Sequence, residues 1–436
     1  MSDKLKIGNY RWTVCALVFF ATTVNYIDRQ VIGILKPLLE ADLNIGEKEY
    51  SYIVMAFQLF YAFGMVLAGR LIDKFGTKIG YGIAVAFWSL AAMGHALAKG
   101  ALGFGFWRAM LGISEGANFP AAIKTVAEWF PKKERALATG IFNSGTNVGA
   151  IVAPIAVPAI VITWGWQAAF IITGALGFIW IIFWFIFYEI PEKQKRVRAT
   201  EIAYINSDIE EVKEEQNSPK TEVPWLKLLK YRQTWIFFIG KGLTDPIWWF
   251  YLFWIPGWLA EVRGAGLDLK SFGLPLVFIY SMTTVGSIFG GWLSGFMIRK
   301  GMTPFNARKY SMLIFALLVT PIVFAQSPGI STWGAVILIA LAASAHQAWS
   351  ANIFTTVSDA FPKRAVSSVT GIGGMAGALG GLGISYLAGA VLNHYKNAGH
   401  VETGYVVMFI VAGCAYLVAW IIMNAFAPKN KTIVLD

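Results

Sequence analysis

Apolar runs long enough to cross a bilayer as helices, about 20 residues each, recur twelve times along this chain. They fall near 11–36, 49–68, 79–98, 102–129, 137–160 and 166–188, then near 232–259, 271–298, 307–326, 331–358, 366–392 and 404–427. Inside hydrocarbon every backbone N–H and C=O needs an internal partner, so such runs fold as helices. The expected fold is an all-α polytopic membrane protein. The longest polar stretch, 191–230, separates the two sets and reads as a cytoplasmic linker with one short surface helix. It divides the chain into an N-terminal bundle of six (1–190) and a C-terminal bundle of six (231–436).

A net charge of +11 would point a soluble protein toward nucleic acid, but a chain that is 56% apolar and 14% charged is not soluble. The basic residues are sorted by side instead. Of 36 Lys and Arg, only Lys36, Lys48, Lys99, Arg263, Lys270 and Lys396 fall on the far side, and Arg29, Arg108, Lys124 and Lys241 within spans. The rest, including Lys4, Lys6, Arg11, Arg70, Lys74, Lys132, Lys133, Arg299 and Arg308, share the side of the termini. This asymmetry places both termini in the cytoplasm and removes the case for a nucleic-acid partner; the bilayer is the partner. The first apolar run is a full span carrying charges, so no cleavable signal peptide is expected. Cys15 and Cys414 both lie in apolar runs and imply neither a disulfide framework nor a metal site.

Charges inside spans are expensive, at least ~2.5 kcal/mol each, and mark ion or substrate pathways. Asp28 and Arg29 lie in the outer half of the first span. Arg108 and Glu115 lie in the fourth, about two helical turns apart and so on one face. With both acids ionised these four charges sum to zero. Protonating both leaves Arg29 and Arg108 uncompensated, a site able to hold a carboxylate, so proton uptake and anion binding would be linked reciprocally. The alternative is a buried ion-pair network that only fastens the first and fourth spans together.

An internal repeat supports the six-plus-six division. FPKKERALATGI (130–141) returns as FPKRAVSSVTGI (361–372), each time at the exit of the fourth span of its half. Gly69-Arg70-Leu71 has a fainter counterpart in Gly291-Trp292-Leu293. Parallel duplication with polar sites between the halves is a transporter architecture.

At these residues the chain resembles the major facilitator superfamily over essentially its whole length. GRLIDKFGTK (69–78) is similar to the family's loop between the second and third spans, with Gly69, Asp73, Gly76 and the basic Lys78 in place. The resemblance implies a cytoplasmic gate built from this loop, in which Asp73 pairs with Arg135 or a neighbouring helix end. NYIDR (25–29) and EGANFPA (115–121) are similar to the anion:cation symporter branch. TDPIWWFYLFW (244–254), SAHQAWSANIFTTVSDAFPKRAV (344–366) and GIGGMAG (371–377) look most like bacterial hexuronate transporters. The resemblance implies twelve transmembrane helices in two pseudo-symmetric six-helix bundles, in a bacterial inner membrane. It implies proton coupling on Asp28 and Glu115 and carboxylate binding by Arg29, whose planar fork suits that group. Arg108 then tunes the acids more than it touches substrate.

The other polar positions stay open between two uses. Tyr61 is a substrate neighbour by resemblance, or a buried tyrosine with a partner. Asn143 and Asn147, one turn apart on the fifth span, face a cavity or another helix. Trp248, Trp249 and Tyr251 follow Asp245-Pro246, a bend in the seventh span; one aromatic ring stacks on a sugar, or all three pack at the interface. Lys241 and Asp245 most simply pair with each other, and His346 is a proton relay or, more simply, a hydrogen-bonded structural residue. Trp349 and Ser350 are expected to line the cavity. Lys124, near a helix end, snorkels and receives no role.

The function these features support is proton-coupled symport of a hexuronate by a monomer without cofactor or metal. Runner-up readings keep the fold and change the cargo to galactonate or another organic anion, or the cation to sodium. A non-transporting membrane sensor lacks a signalling domain beyond the linker. An enzyme lacks any P-loop, nucleophile elbow or metal-ligand spacing.

Overall fold

The computed structural model describes residues 8–43, 45, 47–208, 224–264, 274–426 and 433. Lys4, Lys6, Lys270 and the linker from 209 to 223 lie outside the described residues. No strand occurs among those described, and each expected span is a helix. In chain order these are α1 (Tyr10–Leu43), α2 (Glu47–Phe75), α3 (Thr77–Gly94), α4 in two pieces (Ala101–Glu115 and Asn118–Trp129), α5 (Lys132–Trp164) and α6 (Trp166–Phe187). The second set is α7 (Arg232–Glu261), α8 (Leu274–Arg299), α9 (Pro304–Val319), α10 (Thr332–Ala360), α11 (Lys363–Asn397) and α12 (Val401–Phe426).

Among the described residues, eight helices are long and apolar enough to span on those criteria alone, and α5 joins them as a bent pair. The three that do not meet the criteria are α1, α4 and α7, the helices that carry the intramembrane charges. The 41° bend of α5 falls between Ala153 and Ile155, where Pro154 removes one donor from the ladder. By contrast α7 runs as one helix through Pro246, so the expected bend does not interrupt it. Large apolar side chains such as Phe63, Phe87 and Ile162 point outward from the bundles, as lipid-facing positions must.

The break in α4 follows from glycine. Gly112 and Gly116 sit one turn apart, and a Cβ on either would lie 2.4 Å from the Phe57 carbonyl oxygen or 2.6 Å from the Met65 nitrogen. Gly64 makes the reciprocal approach, where a Cβ would lie 2.3 Å from the Ile113 oxygen. Small residues at this spacing let helix backbones touch. The contact draws α2 against α4 and delivers Phe57 and Tyr61 to the charged residues of α1.

The linker is not merely superficial. Its short helix, Ala199–Ile205, buries Glu201, which accepts from the Tyr10 and Arg11 backbone nitrogens at 3.1 and 3.0 Å. Asp208 accepts from the Lys132 nitrogen at 2.8 Å. Two carboxylates thus cap the starts of α1 and α5, where free N–H groups and the helix dipole favour negative charge. The expected surface helix is a fastening for the N-terminal bundle.

Candidate functional site

The bundles meet around a cavity of about 60 Å³. Its wall includes Tyr26, Arg29, Tyr61, Asn143, Lys241, Asp245, Trp248, His346, Gln347 and Ser350. Of the expected substrate-binding residues, Arg29, Tyr61, Asn143, Trp248 and Ser350 are therefore at the wall. Arg108, Asn147 and Trp349 are not. Trp349 is fully buried, edge-on to Tyr416 with ring centroids 5.5 Å apart. Asn147 is buried one turn beyond Asn143.

Arg29 is held from several sides. Its Nε and Nη2 donate to one oxygen of Glu115 at 3.1 and 3.0 Å, and Nη2 also reaches the Asn25 side chain at 3.3 Å. The guanidinium carbon lies 4.6, 4.7 and 5.0 Å from the rings of Tyr26, Tyr61 and Phe57. Glu115 is fully buried behind it, and its other carboxylate oxygen has no hydrogen-bond partner. Arg108 donates to the Arg29 backbone oxygen at 3.1 Å and lies 4.9 Å from the Phe57 ring. Asp28 is buried on the side of α6, beside Thr173, within electrostatic reach of Glu115 and Arg108. The four charges do cluster between α1 and α4, but they do not share one wet pocket: only Arg29 reaches the cavity.

The opposite wall holds residues that sequence reasoning placed in structural roles. Lys241 and Asp245 pair at 2.6 Å, as their spacing suggested, yet both line the cavity. The Lys241 ammonium sits 3.9 Å from the Phe354 ring centroid. His346 is hydrogen-bonded through Nδ1 to the Tyr416 hydroxyl and stacks on Trp248 at 5.2 Å. Asn143 donates to Gln347 at 2.7 Å and to Ser287 at 3.3 Å, so it joins the bundles across the cavity. Tyr26 was legible only as the neighbour of Arg29 in sequence. Its ring is aimed by the α1 turn that also aims Arg29.

At the end that carries the termini the bundles are closed. Asp73 does not pair with Arg135. It pairs with Lys124 at 2.9 Å, itself bonded to the Ile72 oxygen, and accepts from the Ser368 nitrogen near the start of α11 at 2.7 Å. Lys124 is therefore a buried latch residue and does not snorkel. Arg135 instead donates to the oxygens of Phe130 and Ser358 at 2.9 and 2.5 Å and faces Asp359 at 3.7 Å. Arg308 reaches the same Asp359 at 3.2 Å and the Lys132 oxygen at 2.7 Å. Lys78 pairs with Glu189 of its own bundle, and Gly76 takes a left-handed φ of 82° to turn from α2 into α3. Neither of those two touches the other bundle in these contacts.

A duplicated membrane fold with a polar cavity between its halves defines a polytopic secondary-carrier architecture. Residues 18–385 match the Major Facilitator Superfamily, and the chain belongs to it. It is 33% identical over 394 residues, 88% of each chain, to the hexuronate transporter of Escherichia coli strain K12. It is 35% identical over 292 residues to the galacturonate transporter of Dickeya chrysanthemi, covering 66% of this chain and 82% of that one. The D-galactonate transporter of Escherichia coli O6:H1 is 28% identical, with 89% and 91% covered. Among solved structures, the proton:xylose symporter XylE bound to 6-bromo-6-deoxy-D-glucose matches the fold with a TM-score of 0.78 over 98% of both chains at 15% identity.

Proposed function

We propose that this protein is a secondary transporter that carries a hexuronate into a bacterial cell with protons, by alternating access of the two bundles (1–190 and 231–436) about the cavity. The observation that carries the reading is the cavity-facing Arg29, held by a buried acid through a single carboxylate oxygen. A proton on Glu115 releases that grip and lets the guanidinium take a substrate carboxylate in a bidentate pair. Asp28 is the second proton site, and Arg108 positions Arg29 through its backbone. Two relatives named for hexuronate and galacturonate transport support the choice of cargo.

A water needs roughly 10–15 Å³, so a cavity of about 60 Å³ holds a few waters and not a six-carbon acid. Loading therefore requires the bundles to part at the end away from the termini, while Asp73, Lys124, Arg135, Arg308 and Asp359 keep the other end shut. The sorting of basic residues makes the shut end cytoplasmic. The test is uptake of labelled galacturonate into proteoliposomes under an imposed proton gradient, with and without sodium, and with galactonate as competitor. Gradient-driven uptake is expected without sodium, lost in Asp28→Asn and Glu115→Gln, with exchange surviving in the latter. Undiminished accumulation in both variants would overturn the coupling assignment, and preference for galactonate would overturn the cargo.

A further inference from the structure

The two ion pairs at the cavity present opposite faces. In Arg29–Glu115 the cation is outermost: the arginine side chain is 10% exposed and the glutamate 0%. In Lys241–Asp245 the order is inverted, with the lysine 4% and the aspartate 21% exposed. An entering molecule thus meets a positive wall on α1 and a negative wall on α7. The negative wall is pinned. Lys241 is set against Phe354, and α11 packs closely on the carboxylate, since a Cβ at Gly377 would lie 2.3 Å from Asp245 Oδ2. Tyr26 and Tyr61, which flank Arg29, also lie within electrostatic reach of Asp245, so one small ligand can span both walls.

An ionised carboxylate accepts hydrogen bonds and cannot donate, whereas a sugar hydroxyl does both. Asp245 therefore welcomes hydroxyl donors and repels a second carboxylate. We infer that Asp245, backed by Lys241, is a charge filter that admits acids with a single carboxylate and rejects the matching diacids, and that it orients the bound acid with its carboxylate at Arg29 and its hydroxyl-bearing far end at α7. This rests on the sugar-acid reading above and names the specificity of that same site.

Galacturonate and galactarate share a carbon skeleton and differ at the far end, where the diacid carries a second carboxylate. The experiment is competition of each against labelled galacturonate on the purified full chain in lipid nanodiscs. The native protein is expected to favour galacturonate at least ~10-fold, a discrimination of about 1.4 kcal/mol. In Asp245→Asn that preference should collapse toward parity or invert, because Lys241 is unmasked, while Asp245→Glu should retain it. Lys241→Met removes the cation that keeps the buried acid charged, so it should narrow the preference as well, and it serves if Asp245→Asn does not fold. An unchanged ratio in either neutralised variant overturns the filter while leaving the transport reading intact. Failure of the native protein to bind galacturonate at all overturns both.

Discussion

Two seams join the bundles, α2 against α11 and α5 against α8, and they are alike in backbone and unlike in charge. A Cβ at Gly371 would lie 2.2 Å from the Met65 oxygen; one at Gly140 would lie 2.2 Å from the Ser287 oxygen. Four residues on, a Cβ at Gly69 would lie 2.4 Å from the Ser367 oxygen and one at Gly291 would lie 2.0 Å from the Ala136 oxygen. Gly140 and Gly371 hold the same place in the repeated phrases, as do Ala136 and Ser367. Phe130 and Phe361, which open those phrases, are both extended, at φ −127° and −110°. The duplication thus reproduces a contact in which bare backbone touches backbone. The acid that latches the seam was not reproduced. Asp73 latches the first seam through Lys124 and Ser368, whereas Gly295 stands at the matching place in the second, and Asp359 gathers Arg135 and Arg308 there instead. Backbone contact fixes how the bundles meet, and charge placement is free to differ once they do.

The comparison breaks most sharply at the glycines. Gly140→Leu and Gly371→Leu force a side chain into a carbonyl that no rotamer avoids, and overpacking of that kind costs about 1–3 kcal/mol or more. Each should open the terminal end, read as reaction of an engineered cysteine at Ser367 or Ser287 with a water-soluble maleimide. Equal effects support equivalent seams, and protection in one variant would rank them. Next comes Asp359→Ala, which strands two buried arginines and should cost about 3–5 kcal/mol, measured as a fall in the melting temperature in detergent. Asp73→Asn should cost less, about 1–2 kcal/mol, because the amide oxygen still accepts from Ser368 and Lys124; a loss as large as that of Asp359→Ala would make the first seam the principal lock. Lys78→Ala removes a half-exposed pair within one bundle and should change stability by under ~1 kcal/mol. A larger change would mean that the α2–α3 turn bears on the closed end after all.

Much of the fold was legible because its determinants are local or periodic. Twelve apolar runs gave the spans, the repeated phrase gave the halves, and the spacing of Lys241 and Asp245 gave their pairing. The site was legible only in part. Arg29 and Glu115 stood out because charges in apolar runs are costly, but nothing in the spelling of α2 says that Phe57 and Tyr61 enclose that arginine. Asp73 was expected to reach Arg135 or a neighbouring helix end: it reaches the start of α11 at Ser368, with Lys124 in place of Arg135 as its cation, and Lys241 pairs with Asp245 as expected although both also face the cavity.

By itself the sequence determined the number of helices, the uneven sorting of basic residues between their ends, and which spans carry a charge they must justify. Only the tertiary structure decided which of those charges faces the cavity and which lies behind another. Helical period fixes the faces of each span, whereas the approach of one backbone to another at a few glycines decides which faces meet.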